Sequence, residues 1–355
     1  MNYIGSKLSL LGFLEESINK VVDDNCAVFC DLFAGTGIVG SYFKKRGYKI
    51  IANDIQYYSY VLNKHYISNV GELEFIKLSG EINQLKDIKI PYRKYFVCSY
   101  LSKLNGVKGF IYDNYCLGGT INSNSPRQYF SDLNGMRCDA IRQKIEFWKE
   151  KGLLLENEYF FLIASLIESV DKHANTASVY GAFLKNLKKS AQKDFILKPA
   201  EIIINDKQHN VFNDDINRIL ERVSGDIFYL DPPYNHRQYA TNYHILETIS
   251  KYDAPKIKGK TGLREYHNQK SNYCSRSKVI DTFKETIIKS KAKYIFLSYN
   301  NEGLMNFNDI KEIMSLRGKY GYFVKEYNRF KSDKSENRNY ISSKTQEYLH
   351  YVVCN

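Results

Sequence analysis

The feature that most constrains the fold is AVFCDLFAGTG, residues 27–37, an apolar run that ends in an acid and a glycine-rich turn. Residues 38–46 have the pattern of a helix, 48–53 that of a buried strand closed by Asp54, and 56–68 that of a second helix. Strands that alternate with helices in this way predict a parallel sheet with right-handed crossovers. We therefore expect an α/β fold.

The alternation stops between about residues 91 and 199, where Gly-, Asn- and Ser-rich loops surround an apolar, helical segment at 158–170. The first pattern then returns, because DIFYL (226–230) and KYIFLSY (293–299) have the character of buried strands. The sequence thus predicts a discontinuous domain, residues 1–90 and 200–355, interrupted by a mostly helical insertion, residues 91–199.

Charge and cysteine usage narrow the class of protein. The chain has 51 Lys and Arg against 39 Asp and Glu, a net charge of +12, which fits a polyanionic partner such as nucleic acid; a basic soluble protein without such a partner fits the charge equally well. The seven cysteines form no CxxC pair, so we expect reduced thiols and no metal site. No apolar run is long enough to span a membrane, the N-terminus does not have the pattern of a signal peptide, and the polar segment 255–278 is predicted as a mobile surface loop.

The sharpest signal is DPPY, residues 231–234, directly after the strand DIFYL. Two prolines stiffen the backbone there and hold Asp231, the Pro232 carbonyl and the Tyr234 ring at the carboxyl end of a strand, the usual ligand edge of such sheets. This set suits a planar amino-purine, whose exocyclic amino group donates to Asp231 and Pro232 while Tyr234 stacks on the ring. Taken alone, Pro-Pro-Tyr also fits a stiff turn or a peptide-binding motif.

Four motifs occur in an informative order: YIGSK (3–7), DLFAGTG (31–37), NDI (53–55) and YLDPPY (229–234). This order resembles that of the D12-class, Dam-like adenine-specific DNA methyltransferases. Longer stretches resemble a restriction-system branch of that family, so the likeness extends over nearly the whole chain; they are RQYFSDLNGMRCDAIRQKI (127–145), NTASVYGAFLKNLKK (175–189), DPPYNHRQYATNYHILETI (231–249) and FLSYNNEGL (296–304).

The resemblance implies a Rossmann-like S-adenosylmethionine-dependent methyltransferase sheet for residues 1–90 and 200–355, and a target-recognition role for the insertion 91–199. It implies transfer of a methyl group to N6 of a flipped-out adenine in a short double-stranded DNA sequence. It further implies a monomer in the bacterial cytoplasm, with no membrane partner, that protects DNA from a separate restriction endonuclease.

The family motifs carry over to individual positions of this sequence. Lys7 would pair with the carboxylate of the cofactor, Asp54 would bind its ribose and Asp215 its adenine amino group; the neighbouring Asp214 and a helix N-cap role for Asp215 remain alternatives. The implied catalytic residues are Asp231, Pro232 and Tyr234, with no metal. The implied cofactor-binding residues are Tyr3, Lys7, Asp31, Gly35, Gly37, Asp54, Asp215 and Asp231.

DNA contacts are predicted from basic and polar residues in the insertion and directly after the catalytic motif. Arginines can read guanine edges or phosphates, and lysines suit phosphates. For each of these residues a solvated or structural side chain is the alternative. The predicted contacts are Arg127, Arg137, Lys185, Arg237, Tyr239, Asn242 and Tyr243, with Gln128, Asn134, Arg142, Lys188 and Lys189 as further candidates.

Three other functions compete with this interpretation. RNA methyltransferases of related folds more often carry Asn in place of Asp231 and lack YIGSK, whereas cytosine-N4 enzymes usually carry Ser at that position. A DNA-binding protein without catalysis is the third alternative, and the intact cofactor and catalytic motifs argue against it.

Overall fold

The computed structural model describes residues 3–328 and 344–355. The chain forms two compact units. The first, here called the sheet unit, consists of Gly5–Asn63, Asn205–Tyr239 and His267–Asn355. The second, the helical unit, consists of Lys64–Ile204 and Ala240–Tyr266, together with the residues up to Ile4.

Strands and helices follow the sequence pattern closely at the motifs. The strands are β1 (Val28–Asp31), β2 (Lys49–Asn53), β3 (Asn210–Phe212), β4 (Gly225–Leu230), β5 (Ile257–Lys258), β6 (Leu263–Arg264), β7 (Ala292–Asn300), β8 (Gly318–Asn328) and β9 (Lys344–Cys354). The α-helices are α1 (Leu11–Asn19), α2 (Ile38–Lys44), α3 (Tyr57–Asn63), α4 (Ile90–Ser102), α5 (Phe110–Tyr115), α6 (Leu117–Thr120), α7 (Asp132–Glu150), α8 (Glu156–Asp171), α9 (Lys189–Gln192), α10 (Ile216–Ile219), α11 (Tyr239–Asn242), α12 (His244–Lys251), α13 (Val279–Lys289) and α14 (Phe307–Ser315).

The sheet unit is built on one seven-stranded sheet with the order β3-β2-β1-β4-β7-β9-β8. Pairs from β3 to β7 are parallel, whereas β9 runs antiparallel to both β7 and β8. The order reverses between β1 and β4, the point at which doubly wound sheets bind ligands. The predicted α/β, Rossmann-like class is confirmed by this topology.

Helices cover both faces of this sheet. On one face, α10, α13 and α14 bury apolar side chains against β1, β4, β7 and β9 in a cluster that includes Phe228, Phe283 and Met314. On the other face, Phe29 of β1 stacks on Phe43 of α2, with ring centroids 4.2 Å apart. Burial on both faces explains the continuous apolar runs that marked these strands in the sequence.

The helical unit has different bounds from the predicted insertion, 91–199. It begins at Lys64, where a π-helical segment, Lys64–Ser68, packs on α8 and the Tyr66 hydroxyl donates to Glu168 at 2.6 Å. It also takes in Ala240–Tyr266, because the buried Arg142 donates to the backbone carbonyl of Ile249 at 2.9 Å. The local sequence pattern does not reveal such contacts between distant segments, so the bounds of the unit could not be predicted from it.

The segment 255–278, predicted as a mobile surface loop, is only partly a loop, and its mobility stays a prediction. The segment contains the β5–β6 hairpin, and Arg264 is buried and paired with Asp253 at 2.7 Å. In the sheet unit, Tyr273 is 1% exposed and donates to the Thr286 hydroxyl at 2.8 Å. Among residues 3–328 and 344–355, no helix combines the length and apolar character that crossing a bilayer requires.

Candidate active site

The carboxyl ends of β1, β2 and β4 lie side by side at one edge of the sheet. Asp31, the last residue of β1, pairs in register with Ala52 of β2 and Tyr229 of β4. The segments that follow these strands carry the glycine-rich turn, Asp54 and Asp231. The structure therefore brings the three main sequence motifs together within the sheet unit.

The turn after β1 is held by Asp54 and by a residue that the sequence did not single out, Asn63. The Gly35 N–H donates to Asp54 Oδ2 at 2.8 Å, and the Asn63 amide donates to the Gly35 carbonyl at 3.1 Å. Gly35 and Gly37 have φ angles of 51° and 77°, in the left-handed region that side chains disfavour. At Gly37 a Cβ atom would lie 2.8 Å from Asn63 Oδ1.

Replacing Gly37 with alanine is expected to destabilise the sheet unit by more than the cost of the left-handed backbone alone, which is about 1–2 kcal/mol. Gly47→Ala is the matched control, since Gly47 has a φ of 85° and open space around the added Cβ. Thermal melting of both variants measures the difference. Equal losses in the two variants would contradict the close approach of Asn63.

Asp31 is a buried carboxylate with an unfilled acceptor. It is 1% exposed; its Oδ2 accepts the Gly40 N–H at 3.1 Å, whereas its Oδ1 has no hydrogen-bond partner in the structure. Burial, and then the nearby charges of Asp231 and Asp54, raise the pKa of Asp31 to about 8. A buried acceptor at this edge suits a ligand that brings a hydrogen-bond donor.

Asp215 acts as the N-cap of α10, because its carboxylate accepts the Asn217 N–H at 2.9 Å. Asp214 instead pairs with Arg218 at 2.7 Å and with Arg222. The N-cap alternative from the sequence is therefore the local arrangement. A cofactor contact by Asp215 stays a prediction.

Four side chains converge directly after β4. Lys7 Nζ lies 3.1 Å from Asp231 Oδ1 and 2.8 Å from Glu347 Oε1, and it also donates to the Tyr234 hydroxyl. The Tyr234 hydroxyl lies 2.7 Å from Asp231 Oδ1 and 3.0 Å from Glu347 Oε1. We call these four residues the lysine–carboxylate cluster; all belong to the sheet unit.

Burial and the neighbouring charges both shift the pKa values of Lys7 and Asp231. Burial alone lowers the pKa of Lys7, but the carboxylates of Asp231 and Glu347 outweigh it, so the pKa is raised and the ammonium stays charged. Burial raises the pKa of Asp231; Lys7 opposes this rise, and the like charge of Glu347 adds to it. The state of Asp231 therefore depends on both neighbours.

These contacts bear on two roles predicted for cluster residues, and both roles stay predictions. Lys7 was expected at the carboxylate of the cofactor, but its ammonium is engaged by Asp231, Tyr234 and Glu347. Tyr234 was expected to stack on the base, and its ring packs on Tyr299 at 4.9 Å and 57°. Its hydroxyl donates to Asp231 at 2.7 Å, a contact that the motif did not reveal.

Tyr3 and Tyr243 form an internal pair of the helical unit. Their rings stack with centroids 4.7 Å apart, and the Tyr243 hydroxyl accepts the Ile4 N–H at 2.8 Å. Tyr243 is fully buried. The DNA contact predicted for Tyr243 is therefore corrected to a structural role, because its ring is inside the unit.

The arginines predicted to read bases bind backbone instead. The Arg127 guanidinium donates to the carbonyls of Asn114, Gly259 and Lys260 at 3.1–3.2 Å, and Arg137 donates to the Phe195 carbonyl at 2.8 Å. Asn134 and Arg142 are buried as well. These contacts favour the structural alternative for all four residues.

The remaining predicted DNA contacts are more accessible. Lys185 and Arg237 are exposed, and Tyr239 and Asn242 are half-buried. The Asn242 carbonyl accepts the Tyr180 N–H at 2.8 Å, which leaves the side chain for other partners. These four residues stay predictions. Among the described residues, no group of three or more His, Cys, Asp or Glu side chains is placed to hold a metal ion.

Glu347 is the main functional candidate that the sequence did not reveal. It is 2% exposed near the start of β9 and lies 340 positions from Lys7. In the sequence it directly follows the polar residues 344–346, so nothing in the local pattern distinguishes it or specifies a partner.

Comparison with known proteins identifies the family. The family model for D12 class N6 adenine-specific DNA methyltransferase matches residues 3–346. The chain is 51% identical to the type II methyltransferase M.NlaIII of Neisseria lactamica, over 99% of both chains. It is 37% identical to the type II methyltransferase M.FokI of Planomicrobium okeanokoites over 99% of this chain, which spans 52% of the relative's length. It is 35% identical to the type II methyltransferase M.CviAII of Paramecium bursaria Chlorella virus 1, over 99% of this chain and 98% of the relative.

These matches confirm the resemblance inferred from the motifs, and they do not support the RNA, cytosine-N4 or binding-only alternatives. The family acts on adenine in DNA, and its methyltransferase chemistry indicates S-adenosylmethionine as the methyl donor. These relatives are type II methyltransferases. The chain therefore belongs to the D12 class of N6 adenine-specific DNA methyltransferases.

Proposed function

We propose that this chain methylates N6 of a flipped-out adenine within one short double-stranded DNA sequence and thereby protects DNA from a separate, cognate restriction endonuclease. The lysine–carboxylate cluster is the observation that carries the proposal. Asp231 is 19% exposed at the carboxyl end of β4, and the described contacts of its carboxylate fall on Oδ1. Its Oδ2 is then the acceptor offered to the amino group.

The residues at the sheet edge fit the methyl donor. The turn at Gly35 and Gly37 presents backbone without side chains, and the unpartnered Asp31 Oδ1 is an acceptor that a bound ligand can satisfy. Asp54 is proposed to bind the ribose hydroxyls and Asp215 the adenine amino group. When bound, S-adenosylmethionine supplies an activated methyl group on its sulfonium.

The chain's own residues make the target nitrogen reactive. The lone pair of an adenine amino group is delocalised into the ring, which makes it a weak nucleophile. Asp231 and the Pro232 carbonyl accept its two N–H bonds from directions outside the ring plane, and this concentrates the lone pair on nitrogen. Tyr234 orients Asp231 through its hydroxyl. Fixed acceptors of this kind stabilise the charge that develops during transfer.

Target recognition is proposed for the helical unit. Its range Lys64–Ile204 contains the whole predicted insertion, 91–199, and Lys185 is an exposed cation on it. Arg237 and Tyr239 of the sheet unit are proposed as further DNA contacts. We propose a monomer that acts in the bacterial cytoplasm, since an enzyme that modifies one strand at each binding event needs no two-fold symmetry.

A base inside a duplex cannot reach these acceptors, so we predict that the enzyme flips its target adenine at a cost of a few kcal/mol. With 2-aminopurine in place of the target adenine, binding should enhance the fluorescence. The control duplex carries 2-aminopurine outside the recognition sequence and should show no change. An unchanged signal at the target position, despite binding, would count against flipping.

A further inference from the structure

Glu347 is placed to act on Asp231 through shared neighbours. It belongs to β9, where its register partner is Asn300 at the end of β7. Its Oε1 is 2.8 Å from Lys7 Nζ and 3.0 Å from the Tyr234 hydroxyl, the two groups that also contact Asp231 Oδ1. Glu347 therefore touches every donor that holds Asp231.

With both carboxyl groups ionised, the cluster contains more negative than positive charge. Two carboxylates share one ammonium group, and the Tyr234 hydroxyl has one hydrogen for two carboxylate acceptors. Removing ionised groups from water is costly unless they are paired, so an unbalanced carboxylate at this depth requires an explanation. A structural ion pair would need Lys7 and one carboxylate only.

We propose that Glu347 is a positioning residue for methyl transfer, which holds Lys7 and Tyr234 on Asp231 and gives the site a net negative charge that favours the cationic methyl donor. This inference rests on the proposed function, because it assumes that the reacting groups meet at Asp231. The charge matters since the sulfonium of S-adenosylmethionine is positive, whereas the thioether of the product, S-adenosylhomocysteine, is neutral.

Position and charge can be separated by two substitutions. Glu347→Gln keeps an acceptor for Lys7 but removes the charge, whereas Glu347→Asp keeps the charge but shortens the reach. Glu16→Gln is the matched control, because Glu16 pairs with Lys20 at 2.7 Å on the surface, 71% exposed. Binding of S-adenosylmethionine and S-adenosylhomocysteine is measured by calorimetry at pH 8 without DNA, and kcat is measured across pH.

Loss of charge should reduce the preference for the cation. We expect Glu347→Gln to lower the ratio of the two Kd values, S-adenosylhomocysteine over S-adenosylmethionine, on the order of tenfold, as for unit charges roughly 10 Å apart at an effective dielectric constant of about 20. The control Glu16→Gln should leave the ratio unchanged. An unchanged ratio in Glu347→Gln would overturn the charge role.

The pH profile is the second readout. The charged and titratable groups that face Asp231 are Lys7, Asp31, Tyr229, Tyr234 and Glu347. Since Glu347 raises the pKa of Asp231, Glu347→Gln should move the acid limb of kcat to lower pH. An acid limb identical to that of the wild type would contradict the coupling.

The shorter side chain in Glu347→Asp should reduce the rate of methyl transfer rather than the preference for the cationic cofactor. We expect Glu347→Asp to lower kcat by about 10²-fold, the effect of displaced catalytic groups, and to retain the preference for the cation. Full kcat in this variant would overturn the positioning role. Failure of the proposed function would give a different result. The wild type would methylate no DNA, whereas the ratio of the two Kd values would still differ between the wild type and Glu347→Gln.

Discussion

Replacing Lys7 with methionine is expected to lower the free energy of unfolding by about 3–5 kcal/mol at pH 8, the cost of leaving buried charges without their partner. Lys7 is 4% exposed and is the ammonium shared by Asp231 and Glu347. Without it, two carboxylates face each other at close range. At roughly 2–4 °C per kcal/mol, the melting temperature should fall by roughly 6–20 °C.

The pH dependence of this loss has a definite sign. Without the cation, the folded-state pKa of Asp231 rises further above its unfolded value, because Lys7 no longer opposes the rise. A carboxylate with a raised folded pKa is stabilising below its unfolded pKa and loses that contribution as pH increases. The defect of Lys7→Met should therefore shrink as pH is lowered from 8 towards 4.

Two controls make the prediction specific. Lys20→Met removes an exposed partner of Glu16 and should leave the melting temperature close to that of the wild type. The double variant Lys7→Met/Glu347→Gln removes the repulsion between the two carboxylates and returns the cluster to its wild-type net charge, so it should recover part of the lost melting temperature. If Lys7→Met melts like the wild type at pH 8, the cluster is not an interdependent set of charges.

Replacing Asp231 with alanine is expected to reduce kcat by about 10³-fold, since it removes the acceptor proposed for the target amino group. The variant should remain folded, because Lys7 and Glu347 still balance each other at 2.8 Å. Transfer of a labelled methyl group to DNA measures the rate, and thermal melting measures the fold.

The two substitutions thus have opposite expected signatures. Lys7→Met primarily costs stability, whereas Asp231→Ala primarily costs turnover. Asp231→Asn provides a finer test, because an amide oxygen still accepts a hydrogen bond but carries less charge. We expect its kcat to lie between those of Asp231→Ala and the wild type. Wild-type turnover in Asp231→Ala would remove Asp231 from the mechanism.

The parts of this molecule that could be predicted are the strands with a clear apolar pattern and the acidic residues that directly follow them. Asp31, Asp54 and Asp231 directly follow β1, β2 and β4, and parallel strands bring their carboxyl ends to one edge. Apolar runs identified the central strands because helices bury both faces of the sheet. The family resemblance then supplied the chemistry.

The parts that were missed depend on contacts between distant segments. Glu347 reaches Lys7 across 340 positions through the antiparallel register of β9 on β7. Arg127 could not be distinguished from a base-reading arginine, because charge alone does not reveal the carbonyls that its guanidinium binds. The bounds of the helical unit were missed for the same reason, since packing on α8 defines them.

The most direct test of the central claim is single-molecule long-read sequencing of DNA from cells that express this chain, beside cells that express Asp231→Ala. The account predicts N6-methyladenine confined to one short sequence with the wild type and absent with the variant. Unmodified adenine in both, from a folded wild-type protein that binds S-adenosylmethionine, would contradict it.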